Sequence, residues 1–218
     1  MLADPRCAGA DIVVCGGDLV CGPQPVECLD RLLQLGPRAR FLRGNGDRNV
    51  VEHGELHGGA WCAAELGPER LETVAAWPLT LELDVLGGTT FCHATPQRDD
   101  ELVTRLTPPD ELEAAFAAAP TGLVVVGHTH MQYDIPLPSG RCLVNAGSVG
   151  RPYEGVRGAF WTLLGDRLEP MRTEYDVERA AATIRASAYA DAEEHASQLL
   201  EPPDPGEVAT YFESRRGA

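Results

Sequence analysis

Five side chains able to ligate a cation stand at the ends of apolar runs in this sequence. Asp18 follows DIVVC and Gly16-Gly17; Asn45 lies in Gly44-Asn45-Gly46-Asp47, after ARFLR; His93 closes TTFCH; His128 and His130 follow LVVVG. In open α/β sheets, ligands bind beyond the carboxyl ends of the strands. Each residue also has an ordinary reading: Asp18 as a turn or capping residue, Asn45 as a left-handed turn residue, His93 as a satisfied core histidine. His128-Thr129-His130 is more pointed, because alternate residues of an extended segment turn two imidazoles toward one neighbourhood. Together, carboxylate, carboxamide and imidazole suit Mn²⁺, Fe²⁺, Ni²⁺ or Zn²⁺ better than a thiolate-selective metal. A carboxylate can also bridge two ions about 3.5–4 Å apart.

The elements that must position these residues are legible from periodicity. Residues 11–15 read as a buried strand, 25–35 as a helix with Val26, Leu29, Leu32 and Leu33 on one face, and 39–43 as the next strand. Residues 79–85 and 89–93 read as a hairpin turning at Gly87-Gly88, 109–119 as a helix, and 123–126 as a buried strand. Strands are expected at 141–144, 159–164 and 167–175, and an Ala-rich helix from Val177 to about His195. The Pro202-Pro203-Asp204-Pro205-Gly206 cluster divides the chain into a domain over 1–200 and a C-terminal tail over 201–218, read as a short mobile helix. The fold class is α/β, with two sheets or one mixed sheet.

Composition narrows the function. All 18 basic residues are arginine, against 33 acidic ones, for a net charge of −15. Without lysine there is no Schiff base and no P-loop amine. So acidic a chain is not a general nucleic-acid binder, since polyanion binding needs a basic surface. No window reaches the length of a membrane span, and residues 1–14 lack the apolar stretch of a signal peptide. Seven cysteines without a C-x-x-C spacing argue against a disulfide framework or a structural zinc site. The expected location is the cytoplasm.

The segments Gly17-Asp18, Gly44-Asn45-Gly46-Asp47, FCHATP around His93, Gly127-His128-Thr129-His130 and Asn145-Ala146-Gly147-Ser148-Val149-Gly150 occur in an order that resembles the calcineurin-like metallophosphoesterases, especially their small bacterial and archaeal phosphodiesterase branch. The resemblance spans roughly residues 10–175. It implies a four-layer αββα sandwich of two mixed sheets with a dinuclear site at its edge. Asp18 would bridge the ions, Asn45, His93 and His128 would complete one site, and His130 would belong to the other. Asp18, Asn45 and His93 would also serve catalysis. The implied reaction is in-line attack on phosphorus by a metal-bound hydroxide, with manganese as the expected metal and a small phosphoester as substrate.

Two features depart from that pattern. The family's first motif, Asp-x-His at the end of a first strand, has no counterpart here; roughly 20–25 residues are expected to be missing from the start. The second ion would then have only Asp18 and His130, so a single ion is the expectation for this chain. An edge left unpaired by the missing strand favours self-association. Gly46 stands where many members carry a histidine, leaving Asp47 without an imidazole partner and favouring substrates with good leaving groups. Arg43, Arg48 and Arg151 read either as phosphate-binding residues or as solvated loop arginines; His53 and His57 read as non-ligands. Three functions follow: a metal-dependent phosphodiesterase, a non-catalytic or mononuclear metal- or phosphate-binding remnant, and an enzyme whose start codon has been misplaced.

Overall fold

An unbroken run of apolar residues, such as Leu123-Val124-Val125-Val126, buries both faces only when each is covered. In the computed structural model, which describes residues 1–217 apart from the His57 side chain, that run is the middle strand of a five-stranded sheet. The strands are β1 (Val13–Cys15), β2 (Ala39–Phe41), β3 (Thr80–Leu83), β4 (Thr89–Cys92), β5 (Leu123–Val126), β6 (Gln132–Pro136), β7 (Cys142–Ala146), β8 (Ala159–Leu164) and β9 (Leu168–Thr173). The helices are α1 (Pro5–Ala8), α2 (Pro25–Leu33), α3 (Asn45–Val51), α4 (Gly59–Ala75), α5 (Pro109–Ala115), α6 (Val177–Arg185), α7 (Ala192–Leu200) and α8 (Pro205–Glu213).

The five-stranded sheet runs β3-β4-β5-β7-β6 and is mixed: β4, β5 and β7 are parallel, while β3 and β6 are antiparallel edges. Its residues divide by alternation. Cys92, Val124, Val126 and Leu143 face Leu112 and Phe116 of the α5 region. Phe91, Leu123, Val125 and Val144 face Val14 of β1, Leu164 of β8 and Leu168 of β9. On their other side β1, β8 and β9 share a core with Leu32 of α2 and Cys7 of α1. Helices α2, α4, α6 and α7 pack together in a further cluster around Val20 and Val50. The layers therefore run helix, sheet, sheet, helix.

The second sheet is in two pieces. β1 pairs with β2 in parallel and β8 with β9 antiparallel, and among the described residues no hydrogen-bonded ladder joins β1 to β8. They nevertheless share a core, in which Val13 and Cys15 lie with Trp161 and Met171.

Several elements differ from the periodicity reading. The Ala-rich stretch after Val177 is two helices, α6 and α7, not one. Asn45 begins a helix and is not a left-handed turn residue. α4 carries a kink where Gly67 adopts φ 71° ahead of Pro68, which breaks its apolar period. β6, QYDIP, is an edge strand whose residues are half-buried or exposed. No helix among the described residues is long and apolar enough to cross a membrane.

Candidate metal centre

The turns after β1 and β2 are drawn together by one carboxylate. Asp47, fully buried, accepts the backbone N–H groups of Asp18 and Leu19 (both 2.7 Å), Gly44 (3.0 Å) and Val20 (3.1 Å). Four donors on one carboxylate satisfy amides that would otherwise be orphaned in the core. Asp47 is thus fully partnered without any imidazole. Burial, and then the nearby Asp18 charge, pushes its pKa up to about 6, so it is ionised at neutral pH.

Asp18 itself stands at φ 55°, in the left-handed region where only a supported non-glycine residue persists. Its Oδ1 accepts the Gly46 N–H at 2.7 Å. This loop contact explains two glycines. A Cβ on Gly44 would lie 2.2 Å from Asp18 Oδ1, and a Cβ on Gly46 would lie 2.2 Å from Cys21 Sγ and 2.9 Å from Asp18 Oδ1. The space above Gly46 therefore holds the Cys21 thiol, and an imidazole there would collide with it. Burial, then the charges of Asp18 and Asp47, holds that thiol well above the usual range, so it stays protonated.

His93 directly follows β4 and is buried between these loops. Its Nδ1 lies 2.7 Å from the Gly16 carbonyl, an acceptor only, so Nδ1 carries the proton. In the neutral ring Nε2 is then a lone pair, which is the arrangement that orients metal-binding histidines. That Nε2 faces two oxygens, Asn45 Oδ1 at 3.2 Å and Asp18 Oδ2 at 3.3 Å. Three electron-rich atoms converging on one point need a cation between them or a proton on Nε2. Burial opposes charging of His93, but the Asp18 carboxylate outweighs it and raises the pKa to about 9. In the same exchange burial works to raise the Asp18 pKa, and the His93 charge overrides it and holds the carboxyl well below the usual range.

His128 and His130 leave β5 at φ 59° and 58°. Left-handed conformations of this kind cost of order 1–3 kcal/mol each and persist only where neighbours over-determine them. Asn145 on β7 supplies that constraint: its amide donates to the Gly127 carbonyl (2.6 Å) and to Thr129 Oγ1 (3.0 Å), while its carbonyl accepts from the Gly147 N–H (2.9 Å). The Asp100 backbone lies near the His128 ring, whose Nε2 is buried without any hydrogen-bond partner. Burial, then the His93 charge, lowers its pKa to about 4, leaving it neutral. The ligand atoms of Asp18, His93 and His128 all lie within 4.8 Å of one another, and Asn45 joins them through His93. An orphaned imidazole nitrogen beside His93 Nε2 and those two oxygens fits a divalent transition metal.

His130 stands outside that group. Its Nδ1 donates to the Arg151 carbonyl at 2.8 Å, and its ring stacks on Tyr153 with centroids 5.1 Å apart. Burial lowers its pKa to about 4. The Arg151 guanidinium is taken up by Glu194, His195 and Gln198 of α7. Arg48 grips Asp99. His53 is exposed, and the His57 side chain lies outside the described residues. Sequence reasoning missed the clamping role of Asn145 and the position of Cys21; for Cys21 the sequence carries no signal.

With this geometry in hand, comparison with known proteins is decisive for the family. The family description "calcineurin-like phosphoesterase superfamily domain" matches residues 3–164. The chain belongs to the calcineurin-like phosphoesterase superfamily. It is 26% identical over 211 residues to the uncharacterized protein MJ0912 of Methanocaldococcus jannaschii, covering 84% of each chain. In fold it is similar to a metallophosphoesterase from Sphaerobacter thermophilus (TM-score 0.69, 24% identity, 88% of this chain and 89% of that one). It is likewise similar to the hypothetical protein PH1004 from Pyrococcus horikoshii OT3 (TM-score 0.73, 17% identity, 89% and 86%). As a calcineurin-like phosphoesterase the chain carries a possible Asp/His/His metal group, in keeping with the family's divalent-metal dependence.

Proposed function

We propose that this phosphoesterase is a metal-dependent phosphodiesterase acting on a small phosphoester, with Asp18, Asn45, His93 and His128 holding the cation and manganese as the working metal. One observation carries the reading: His93 Nε2 faces two oxygens beside an unpartnered His128 nitrogen. A divalent ion bound there supplies Lewis-acid polarisation of phosphoryl oxygens and a lowered pKa for water.

The remaining chemistry belongs to the chain. Gly16 fixes the His93 tautomer, and Gly46 N–H and Asp47 fix Asp18. Position 46 offers no proton to a leaving group, and Cys21, whose thiol is held far above the usual range, is too weak an acid to replace one. Substrates whose leaving group departs as a stable anion are therefore favoured: diesters and activated aryl phosphates over alkyl monoesters.

A dinuclear version of the site requires a second ion on Asp18 and His130. A mononuclear version is the alternative, and it is favoured by the position of His130 outside the Asp18-His93-His128 group. The test assays the full chain with Mn²⁺, Ni²⁺, Fe²⁺ or Zn²⁺ on bis(p-nitrophenyl) phosphate and p-nitrophenyl phosphate, counting ions per chain in parallel. Metal-dependent turnover favouring the diester, falling by about 10²–10³ in His93→Ala, supports the reading. Turnover indifferent to metal or to His93→Ala overturns it.

A further inference from the structure

The turn that carries His128 and His130 is gripped on two flanks by segments remote in sequence. On one flank, Tyr153 donates its N–H to the His130 carbonyl at 3.1 Å and lays its ring against the imidazole, whose Nδ1 is tied to the Arg151 carbonyl. On the other, the Val103 carbonyl accepts the hydroxyl of Thr129, the residue between the two histidines, at 3.3 Å. Both flanks are in turn pinned by α8. Phe212 packs on the Tyr153 ring with centroids 6.1 Å apart. The next residue, Glu213, accepts the hydroxyls of Thr104 (2.7 Å) and Thr107, two buried residues directly after Val103 and nearby.

For an element in that position, α8 is loosely built. Of its nine residues only Ala209 is buried, and a helix so short is marginal by itself. Pro202, Pro203 and Pro205 separate it from α7, because proline cannot continue a helix. Beyond Phe212 and Glu213, its region is tied down by Arg216 reaching Glu111 of α5 at 2.6 Å and by the Gly155 N–H on the Pro203 carbonyl at 3.0 Å. Elements held by few apolar contacts are the ones that open locally at low free-energy cost. α8 also lies beyond residues 3–164, the part of the chain that matches the family description.

We propose that Tyr153 is a positioning residue for His130, and that α8 is a strap whose docking, through Phe212 and Glu213, holds the His128-Thr129-His130 turn in its metal-binding conformation. The proposal rests on the metal-centre reading above and adds a conformational control to it. Residues at positive φ relax unless their neighbours over-determine them. A loosened flank therefore costs the turn its geometry and the cation a well-placed ligand. Such coupling is reciprocal: a cation on the turn tightens α8 by the factor with which docked α8 tightens the cation.

Mn²⁺ alone is the probe. Titration calorimetry on the full chain measures its affinity in wild type, Tyr153→Ala, Tyr153→Phe, Phe212→Ala and His93→Ala. Ile184→Val, in the buried core against α6, is the control for lost stability. Hydrogen exchange of residues 205–213 is followed with Mn²⁺ and with chelator. The expected result is affinity at least about fivefold weaker in Tyr153→Ala and Phe212→Ala, and within about twofold of wild type in Tyr153→Phe, which keeps the stacked ring, and in Ile184→Val. Exchange in α8 should slow by at least about fivefold when Mn²⁺ binds. Unchanged affinity in Tyr153→Ala and Phe212→Ala, an equal loss in Ile184→Val, or α8 exchange indifferent to Mn²⁺ overturns the strap. If the strap variants bind normally while His93→Ala does not, the strap falls alone. If His93→Ala binds Mn²⁺ as tightly as wild type, the metal reading fails and takes the coupling with it.

Discussion

Two buried polar residues hold the two halves of the candidate site, and they do so by different chemistry. Asp47 gathers four backbone amides from the turns after β1 and β2, strands of three residues each in the divided sheet. Asn145 donates to one carbonyl and one hydroxyl and accepts one amide at the exit of β5, the middle strand of the continuous sheet. Where short strands leave many amides unpaired, an acceptor-only group that can take several at once is needed. Where a complete ladder already pairs the backbone, a neutral amide that both gives and takes is enough to hold two strained histidines. The charge is spent on architecture in one half and avoided in the other.

That contrast sets the order of expected effects. Asp47→Ala leaves two buried and two half-buried amides without partners, at up to about 1–3 kcal/mol each, which is much of the stability of a typical domain. Urea denaturation should show a loss of at least about 4 kcal/mol, or no folded chain; a loss under about 1 kcal/mol would mean the turns are held by something else. Asn145→Ala should be milder, about 2–3 kcal/mol, because three ordinary hydrogen bonds are lost while the ladders around it persist. Its distinctive effect should be on metal affinity, weakened about 10–100-fold as His128 and His130 relax from their left-handed conformations. Unchanged affinity at reduced stability would make Asn145 a purely structural residue.

Much of this was legible in the amino-acid order, and the rest was hidden for identifiable reasons. β5 announces itself as an apolar run because both its faces are buried. β6 does not, because an edge strand of half-buried polar residues has no period to read. Gly44-Asn45-Gly46 looks like a turn, yet its glycines are there for close approach to Asp18 and Cys21, and a helix starts at Asn45. The residues that converge, Asp18, Asn45, His93 and His128, could be nominated from their places after strands. The unpartnered state of Arg43 could not, since it depends on Arg48 having claimed Asp99 from a loop more than fifty residues away.

pH is the gentlest way to separate the halves. In the metal-free chain His93 titrates near 9, above its unfolded value of about 6.5, so its stabilising share is complete below about 6.5 and is lost as pH rises through 9. His128 and His130 titrate near 4, so their share is present above about 6.5 and lost as pH falls through 4. Asp47, raised to about 6, opposes that acid-side fall but is one group against two. Chelator-treated protein should therefore be most stable near pH 6.5, and a bound cation, by replacing the His93 proton, should remove the alkaline decline. Thermal midpoints across pH 4–10, with and without Mn²⁺, check this; an alkaline decline that persists with metal bound would detach His93 from the ion.

The most direct test of the central claim is an anomalous difference map at the manganese edge from crystals of the metal-loaded full chain. The expected result is a peak about 2.0–2.3 Å from Asp18 Oδ2, Asn45 Oδ1, His93 Nε2 and His128 Nε2. A map with no peak at that point, and His93 Nε2 still in contact with Asp18 and Asn45, would contradict it.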